Sequence, residues 1–261
     1  MARLYSLFSS SRGNATFIGT PNGGVLIDAG VTYARLTAAM ERCGLSINAV
    51  QGVFITHDHS DHVRGLKLLS AKHNIPIFAQ SQTLRNLIDG EAVAPSAVLS
   101  EIGSNSVAIA DMQLTAFNTP HDTDQSCGYR IEMPDGRICA VCTDLGHITK
   151  TVEDALCGCN LVLLEANYDE QMLKKGPYPP YVKARILSEN GHLSNTDCAE
   201  QAKKLLATGT TRLLLGHLSQ ENNRPELADM VVESALSGYV RGQDYLLEVA
   251  KVETTGEMTV F

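Results

Sequence analysis

The chain has 261 residues, of which 44% are apolar, and this length and composition suit one large globular domain or two small ones. Its 21 basic and 29 acidic residues give a formal net charge of −8 at pH 7. An acidic chain is not steered to nucleic acid by its overall field, so any nucleic-acid site has to be a local patch.

The N-terminal residues and the cysteines indicate a reducing compartment. Residues 1–6 contain no apolar signal-peptide core, and no apolar stretch approaches the ~18 residues of a membrane helix. Seven cysteines, an odd number without a secretion signal, favour reduced thiols. We therefore expect a cytoplasmic protein without membrane attachment. Cys139 and Cys142 have C-x-x-C spacing inside an apolar run, which favours small buried side chains over a redox or zinc motif.

Strands dominate the first part of the chain. The predicted strands cover residues 4–8, 15–20 and 25–30, with a polar loop at 9–14 and a turn at 21–24. The third strand ends near Asp28, which on its own fits a turn or cap residue. A helix is expected from Thr32, as a cap, to about Cys43.

The densest chemical signal follows a buried strand at residues 53–55. Three histidines and two aspartates fall within six positions there, namely His57, Asp58, His59, Asp61 and His62. Core packing does not require so much imidazole and carboxylate in one turn, and a solvated loop with chance histidines is the weaker alternative. Neutral histidine nitrogen and aspartate oxygen suit zinc and related divalent ions. Because alternate residues of an extended loop point the same way, His57 and His59 can share one ion, and Asp61 and His62 can hold a second.

Helices and strands alternate beyond this loop. The predicted helices cover residues 61–73, 81–88, 149–156, 195–206 and 224–239. The predicted strands lie at 75–79, within 93–117, and at 127–133, 138–142, 160–167, 212–219, 245–252 and 257–261. The last two strands are expected to form a closing pair. No repeat, low-complexity tract or linker interrupts the series, so the sequence predicts a single domain over residues 1–261.

Further acids and histidines follow the later strands. His121 alone is an even choice between a polar loop residue and a ligand, but beside the first motif it becomes the natural third ligand. Asp144, Glu165 and His217 each follow a buried apolar run. His192 fits either a polar residue at a helix entry or a functional group.

Residues 171–187 form a basic stretch that contains no acid. Its cations are Lys174, Lys175, Lys183 and Arg185. One alternative is a solvated loop and helix face. The other is a basic, tyrosine-bearing rim, with Tyr178, that contacts phosphates and stacks on bases.

The motif at residues 57–62 resembles the signature of the metallo-β-lactamase-fold hydrolases, in the two-metal branch that includes ribonuclease Z and the DNA-processing nucleases. The resemblance implies an α/β fold built as a four-layer αββα sandwich. It also implies that one ion is held by His57, His59 and His121, that a second is held by Asp61, His62 and His217, that Asp144 bridges them, and that Asp28 orients the histidine loop. Two such ions, about 4 Å apart, can share a hydroxide as the nucleophile and neutralise a phosphate. Zinc is the first expectation for both ions, with manganese or iron as alternatives.

Two further side chains with acid–base chemistry lie outside this set of metal ligands. Glu165 and His192 resemble the acid–histidine pair of ribonuclease Z, which is thought to serve in protonation of the leaving group. The resemblance therefore implies a catalytic role for both residues, and Asp61 is expected to take part in catalysis as well as in metal binding.

A narrower resemblance, to the bacterial YycJ (also WalJ) family, spans nearly the whole chain. It rests on residues 9–14, 176–178, 185–188 and 191–195. Members of that family are associated with 5′-to-3′ exonuclease action on double-stranded DNA. The region between Asp144 and His217 is too short for the extra domain of ribonuclease J, so substrate contacts are expected from short loops. The residues expected to make them are Arg12, Tyr178, Lys183 and Arg185.

Three functional hypotheses follow. The first is a metal-dependent phosphodiesterase that acts on the ends of duplex DNA. The second is a small-molecule, for example cyclic, phosphodiesterase or a lactonase with the same metal site, which the acidic net charge favours. The third is a non-catalytic regulatory DNA-binding module, which Glu165 and His192 disfavour because a structural metal site does not need them.

Overall fold

Residues 2–103 and 105–261, which the computed structural model describes, form two seven-stranded sheets. Across the first sheet the strands lie in the order β14 (Thr259–Val260), β1 (Arg3–Ser10), β2 (Gly13–Thr20), β3 (Gly23–Ile27), β4 (Val50–Phe54), β5 (Ile77–Ala79) and β6 (Leu99–Glu101). Across the second sheet they lie in the order β13 (Leu246–Val249), β12 (Arg212–Gly216), β11 (Leu161–Glu165), β10 (Ile138–Cys142), β9 (Cys127–Glu132), β8 (Met112–Asn118) and β7 (Val107–Ile109). Pairing is antiparallel from β14 to β3 and from β7 to β10, and it is parallel in the remainder of each sheet.

Helices cover the outer face of each sheet. Beside the first sheet lie α1 (Tyr33–Arg42), α2 (Ser60–Val63), α3 (Leu66–Lys72) and α4 (Ser81–Asp89), with a 3-10 turn at Ile47–Ala49. The later helices are α5 (Lys150–Leu156), α6 (Glu170–Lys175), α7 (Pro180–Ile186), α8 (Asn195–Ala207) and α9 (Pro225–Ala235). Leu36 and Met40 of α1 pack on the first sheet, and Leu205 of α8 packs on the second. The predicted four-layer αββα arrangement is therefore confirmed.

An aromatic group joins the two sheets directly beneath the histidine motif. Phe54 of β4 stacks on Phe78 with 4.6 Å between ring centroids, and it meets the edge of Tyr129 from β9 at 5.5 Å. The Tyr129 hydroxyl donates a hydrogen bond to the Ile55 carbonyl at 2.7 Å. Buried aromatic side chains contribute large apolar areas, and this hydrogen bond fixes the backbone two residues before His57.

The predicted helix over residues 61–73 is wrong, because the structure divides it into α2 and α3. Gly65 lies at the break, and its N–H donates to the Ala29 carbonyl at 2.8 Å instead of continuing one helix. A Cβ on Gly65 would lie 2.3 Å from the Val31 carbonyl oxygen. The close approach of the loop after β3 therefore requires glycine and interrupts the helix.

The predicted closing pair of strands is also wrong. β13 pairs with β12 in the second sheet, whereas β14 pairs with β1 in the first. Between them the chain crosses from one sheet to the other, and Thr254 N–H donates to the Leu7 carbonyl at 2.9 Å. The expected polar loop at 9–14 shortens to a turn at residues 11–12 because β1 and β2 extend into it.

The other predicted helices and strands are present in the structure, and they differ from the predictions at their ends. The helix expected to reach residue 239 ends at Ala235, and the Thr32 side chain makes no capping hydrogen bond. Cys139 and Cys142 are buried free thiols, as expected. Met1, and Ser104 within the predicted strand region 93–117, lie outside the described residues. In the part of the chain that the structure describes, every helix is too short or too polar to cross a bilayer.

Candidate metal centre

Polar side chains converge where parallel strands of the two sheets end. They are Asp28 after β3, His57 after β4, Asp144 after β10, Glu165 at the end of β11 and His217 after β12. Asp28, Asp144 and His217 have φ angles of 62°, 60° and 55°, a region that side chains other than glycine seldom adopt. Each such residue costs on the order of 1–3 kcal/mol of backbone strain, which surrounding contacts have to offset. Three of the six non-glycine residues with positive φ in the described part of the chain therefore turn their side chains into one site.

The first group of possible ligands is His57, His59 and His121, whose donor atoms all lie within 4.8 Å of one another. His121 Nε2 is 3.3 Å from His59 Nδ1, about the edge expected for two ligands at ~2.0–2.1 Å from one tetrahedral zinc. His121 donates its Nδ1–H to the Gly191 carbonyl at 3.1 Å, because a carbonyl oxygen can only accept. That contact leaves the Nε2 lone pair free for an ion.

The second group is Asp61, His62 and His217, whose ligand atoms also lie within 4.8 Å of one another. Asp61 Oδ2 is 3.6 Å from Nε2 of His62 and 3.6 Å from Nε2 of His217. His62 Nδ1 donates to Asp28 at 2.7 Å, and His217 Nδ1 donates to Glu165 at 2.9 Å. A carboxylate behind each ring therefore leaves Nε2 available for an ion and directs it toward the other ligands.

Asp144 lies between the two groups. Its Oδ2 is 3.2 Å from His62 Nε2, and its Oδ1 is 3.7 Å from His121 Nε2. The carboxylate is buried, at 2% exposure, so water does not satisfy it fully from outside. One side chain thus reaches both groups, which is the placement that a bridging ligand needs.

Buried atoms without hydrogen-bond partners mark the same place. Among the described residues they include His57 Nε2, Asp144 Oδ2 and His217 Nε2. Leaving a buried polar atom unpaired costs about 1–3 kcal/mol, so clustered unpaired atoms need an explanation. Two of these atoms belong to histidines of the two groups and the third belongs to Asp144 between them, and divalent cations there would satisfy all three. The residues present therefore fit the binding of metal ions.

The electrostatic field of the site is negative. Burial would lower the pKa of His217, but the carboxylates of Asp144, Asp61 and Glu165 raise it to about 10. Burial lowers the pKa of His57 well below its ordinary value, so this ring is neutral and can bind a metal with its lone pair. A negative electrostatic field that keeps a buried imidazole protonated also favours the binding of divalent cations at the same place.

Asp28 holds two of the histidines in place. Its Oδ1 accepts from Thr56 N–H at 2.9 Å, and its Oδ2 accepts from the Thr56 hydroxyl at 3.0 Å and from His62. The Thr56 oxygen then accepts from His57 Nδ1 at 3.0 Å. The carboxylate therefore contacts His62 directly and His57 through Thr56, so it can orient both rings.

Glu165 contacts two histidines with one oxygen. Its Oε1 is 2.7 Å from His192 Nδ1 and 2.9 Å from His217 Nδ1, while its Oε2 accepts from Leu145 N–H at 2.8 Å. The carboxylate is fully buried, whereas 14% of the His192 side chain is exposed. His192 is therefore the member of this trio that solvent or substrate can reach.

Sequence reasoning missed several residues that contact the centre. Asn14 Nδ2 lies 3.0 Å from His62 Nε2 and 3.4 Å from Asp61 Oδ2. The Ser9 hydroxyl accepts from His217 N–H at 2.8 Å, and Asn167 Nδ2 donates to the His217 carbonyl at 2.9 Å. These contacts hold the strained backbone of His217. The only sequence signal was the polar run at 9–14.

Asp58 lies inside the motif but points away from the two groups. Its carboxylate accepts from the Thr123 hydroxyl at 2.6 Å and from Asn86 Nδ2 at 3.1 Å. The first contact joins the motif to the loop of His121, and the second joins it to α4. Asp58 is therefore a support for the loops.

The predicted substrate contacts are more internally paired than the sequence suggested. Arg185 on α7 makes a two-pronged ion pair with Asp122, the neighbour of His121, and Nη2 lies 3.1 Å from Oδ1. Lys183 Nζ donates to the Lys174 carbonyl at 2.8 Å. Arg12 lies on the turn between β1 and β2.

Tyr178 differs from the exposed stacking residue that the sequence suggested. It packs, partly buried, against the small apolar group of Tyr168, Leu173 and Ile186. The neighbouring Tyr181 is 75% exposed. Of these two tyrosines, Tyr181 therefore has the freer ring for stacking on a base.

The chain is similar to proteins of known family. A family model described as "Beta-lactamase superfamily domain" matches residues 24–218. The chain is 33% identical over 233 residues to "Exodeoxyribonuclease YycJ" of Bacillus anthracis, covering 88% of this chain and 87% of the relative. It is 31% identical over 238 residues to "Exodeoxyribonuclease WalJ" of Streptococcus pneumoniae, covering 89% and 88%. The crystal structure of the metallo-beta-lactamase fold protein YhfI from Bacillus subtilis covers 100% of both chains with a TM-score of 0.75 at 13% identity, a likeness of fold.

Proposed function

The chain belongs to the beta-lactamase superfamily, as a metal-dependent hydrolase of the YycJ/WalJ family, and from this premise we propose that it is a two-metal exonuclease that degrades double-stranded DNA from the 5′ end. The proposal has three parts, which are the number of ions, the nature of the substrate and the direction of attack. The first two parts rest on the observations below, and the assay that follows tests the substrate and the direction.

The observation that carries the proposal is the pair of ligand groups that share Asp144. One ion would be held by His57, His59 and His121, and the other by Asp61, His62 and His217. A single ion would leave the donors of one group, two of which are buried, without a cation. This arrangement favours two ions over one.

The chemistry follows from what each residue can do. Two divalent ions at these groups would supply an activated water and neutralise charge on the reacting phosphate. Asp144 and Asp61 would hold the ions close together, and Asp28 would keep His62 in the binding tautomer. His192 is left to move a proton, because its Nδ1–H is donated to Glu165 and its Nε2 remains for the leaving oxygen.

Support for a nucleic-acid substrate comes from the relatives and from Arg185. Both curated relatives are named exodeoxyribonucleases. Arg185 reaches the edge of the centre through Asp122, whose Oδ1 is 3.3 Å from His121 Nε2. A guanidinium there can pair with a phosphate in place of Asp122.

The second candidate is a small-molecule phosphodiesterase or lactonase with the same centre. The net charge of −8 favours it, because a polyanion gains nothing from that overall field. The first candidate requires Arg185 and its neighbours for substrate binding, whereas the second does not.

One assay separates them. Purified protein with zinc or manganese would be offered duplex DNA labelled at the 5′ or the 3′ end, a cyclic nucleotide and a lactone. The proposal expects early release of 5′-labelled mononucleotide and slow turnover of the small substrates. Rapid turnover of the cyclic nucleotide or the lactone, with intact DNA, would support the second candidate instead.

A further inference from the structure

An apolar groove lies beside the first sheet, between α3, the end of α4 and β6. We propose that this groove binds the same groove of a second copy of the chain, so that two chains form a two-fold symmetric dimer. Its lining residues lie outside the two ligand groups of the metal centre. The dimer therefore does not depend on the proposed function.

The groove is wide and its floor is apolar. Its volume is about 500 Å³, and apart from Lys67 and Glu91 its lining residues are apolar, among them Ile88, Pro95 and Leu99. An apolar centre with charged residues at the rim is the usual composition of a protein–protein interface.

Large apolar side chains are exposed at this groove. Ile88 is 54% exposed, and Leu68 and Val98, the neighbours of the lining residues Lys67 and Leu99, are 48% and 43% exposed. Three of the ten exposed large apolar side chains of the described residues therefore belong to one region. Single exposed apolar side chains are ordinary, whereas a group of them rimmed by charge indicates a binding surface.

The charges of the groove are divided between its two walls. Residues 62–88, which include α3 and most of α4, contain no acid and four cations, namely Arg64, Lys67, Lys72 and Arg85. Residues 89–101 contain no cation and three acids, namely Asp89, Glu91 and Glu101. At the rim the two walls meet, with 3.3 Å between Lys67 Nζ and Glu91 Oε2. One wall therefore presents a cation and the other presents an anion.

The ion pair at the rim is free to exchange partners. The side chains of Lys67 and Glu91 are 56% and 83% exposed. Such a pair adds little to the stability of one chain, because water screens it and two long side chains lose freedom in forming it. A second copy at the groove can offer its own glutamate to Lys67 and its own lysine to Glu91.

This charge pattern selects a second copy as the partner. In a two-fold contact, the first residue of a pair meets the second residue on the other chain, and the reverse contact forms as well. Rotation by 180° about an axis through the groove floor thus brings unlike charges together and apolar floor against apolar floor. A partner with charges of one sign would instead meet a like charge on one of the walls.

The floor of the groove is already held in position. Ala94 N–H donates to the Ser70 hydroxyl at 3.0 Å, and that hydroxyl donates to the Lys67 carbonyl at 3.1 Å. Ser70 therefore ties the chain after α4 to α3. A preformed surface loses little conformational freedom on binding, which favours association.

Sedimentation velocity at protein concentrations from about 1 μM to about 1 mM tests the assembly, since this range covers weak and moderate affinities. We expect the 28.1 kDa chain to shift toward twice that mass as the concentration rises. Ile88→Asn should weaken the dimer by at least about tenfold, because both chains lose the burial of this side chain. Met230→Asn is the matched control, since Met230 is 57% exposed on α9 and does not line the groove.

Charge exchange tests the reciprocal contact. Lys67→Glu alone and Glu91→Lys alone should each lose self-association, because two like-charge contacts would form across the axis. An equimolar mixture of the two variants should recover the dimer, since each contact then again joins a lysine to a glutamate. The same single reversals at Lys150 and Asp154, an exposed pair on α5 with 2.6 Å between its charged atoms, should leave the dimer unchanged.

Three results would overturn the assignment of the groove. One is a wild-type chain that stays monomeric over the whole concentration range. Another is a dimer that survives both Ile88→Asn and the single charge reversals. The third is a mixture of Lys67→Glu and Glu91→Lys that stays monomeric, because an ion pair that acts only within one chain is not restored by mixing. Circular dichroism shows whether each variant is folded, and recovery of the dimer on mixing itself requires folded chains.

Discussion

Oε1 of Glu165 lies 2.7 Å from Nδ1 of His192, and this contact joins the end of β11 to the loop before α8. The same oxygen lies 2.9 Å from Nδ1 of His217. One buried carboxylate therefore supports both a possible proton donor and a possible metal ligand. The two histidines differ in that Nε2 of His217 faces Asp61, while His192 is partly exposed.

His192→Ala should keep both ions and slow the cleavage of DNA by about 10²–10⁴-fold, the usual contribution of a general acid. The 3′-oxygen of DNA is a poor leaving group that needs a proton, whereas p-nitrophenolate leaves without one. The loss of kcat should therefore be much smaller on bis-p-nitrophenyl phosphate. Metal content is measured alongside kcat. Equal losses on the two substrates would remove His192 from this role, and the loss of an ion would place it among the ligands.

Glu165→Gln should act on both of its partners. The amide has one acceptor oxygen and one NH2 donor, whereas the carboxylate accepts from both Nδ1–H groups through Oε1 and from Leu145 N–H through Oε2. At least one of these N–H groups would therefore face a donor, and the side chain that orients His217 and His192 should shift. We expect metal affinity to fall by about 10–100-fold, the usual effect of losing an outer hydrogen-bond partner of a ligand. Titration with a chelator measures that affinity. If the affinity is unchanged and only the rate on DNA falls, Glu165 serves His192 alone.

His59→Ala should remove metal and nearly all hydrolysis while the fold persists, because the ring is only half-buried and contributes little to the core. Metal affinity should fall by more than the ~10–100-fold caused by changes behind a ligand. His147→Ala is the matched control, since His147 is exposed and, among the described residues, its ring hydrogen-bonds to the Glu189 carbonyl alone. Metal analysis and circular dichroism provide the readouts. Two ions per chain and full activity in His59→Ala would show that the ligand assignment is wrong.

Reversing the charge at Lys183 and Arg185 should weaken duplex binding and flatten its dependence on salt, because fewer counterions are released from DNA. The loss should be larger on duplex DNA than on bis-p-nitrophenyl phosphate. The control is the same charge reversal at Lys203 and Lys204, near the end of α8 that lies away from the centre. Affinities are compared at several salt concentrations. Equal losses on both substrates would indicate that α7 supports the fold.

The sequence could predict the strand-end ligands because their pattern is local. An apolar run followed by an acid or a histidine, as at Asp144 and His217, identifies a buried strand and a polar exit together. The structure brings those exits together because parallel strands of both sheets end at one edge. Local periodicity also located most helices and strands to within a few residues.

Residues whose role depends on distant contacts could not be predicted. Asn14 is one polar residue in a turn, and its contacts at Asp61 and His62 lie 47 and 48 positions further along the chain. Thr56 shows no pattern of its own, yet it links Asp28 to His57. Gly65 breaks a helix because of the Ala29 carbonyl, which no helical periodicity reveals.

The ion pair between Arg185 and Asp122 could not be predicted from the sequence for the same reason. The two residues are 63 positions apart, and the basic stretch appeared free of acids when judged by its own composition. Its cations are partly neutralised across loops.

Stepwise metal loading of metal-free protein tests the central claim most directly. Exonuclease rate on 5′-labelled duplex would be measured against the equivalents of zinc or manganese bound per chain. Two ligand groups that share Asp144 predict that activity stays low at one equivalent and reaches its maximum at two, with two ions found by metal analysis. Full activity at one equivalent, or saturation of binding at a single ion, would contradict the two-metal account.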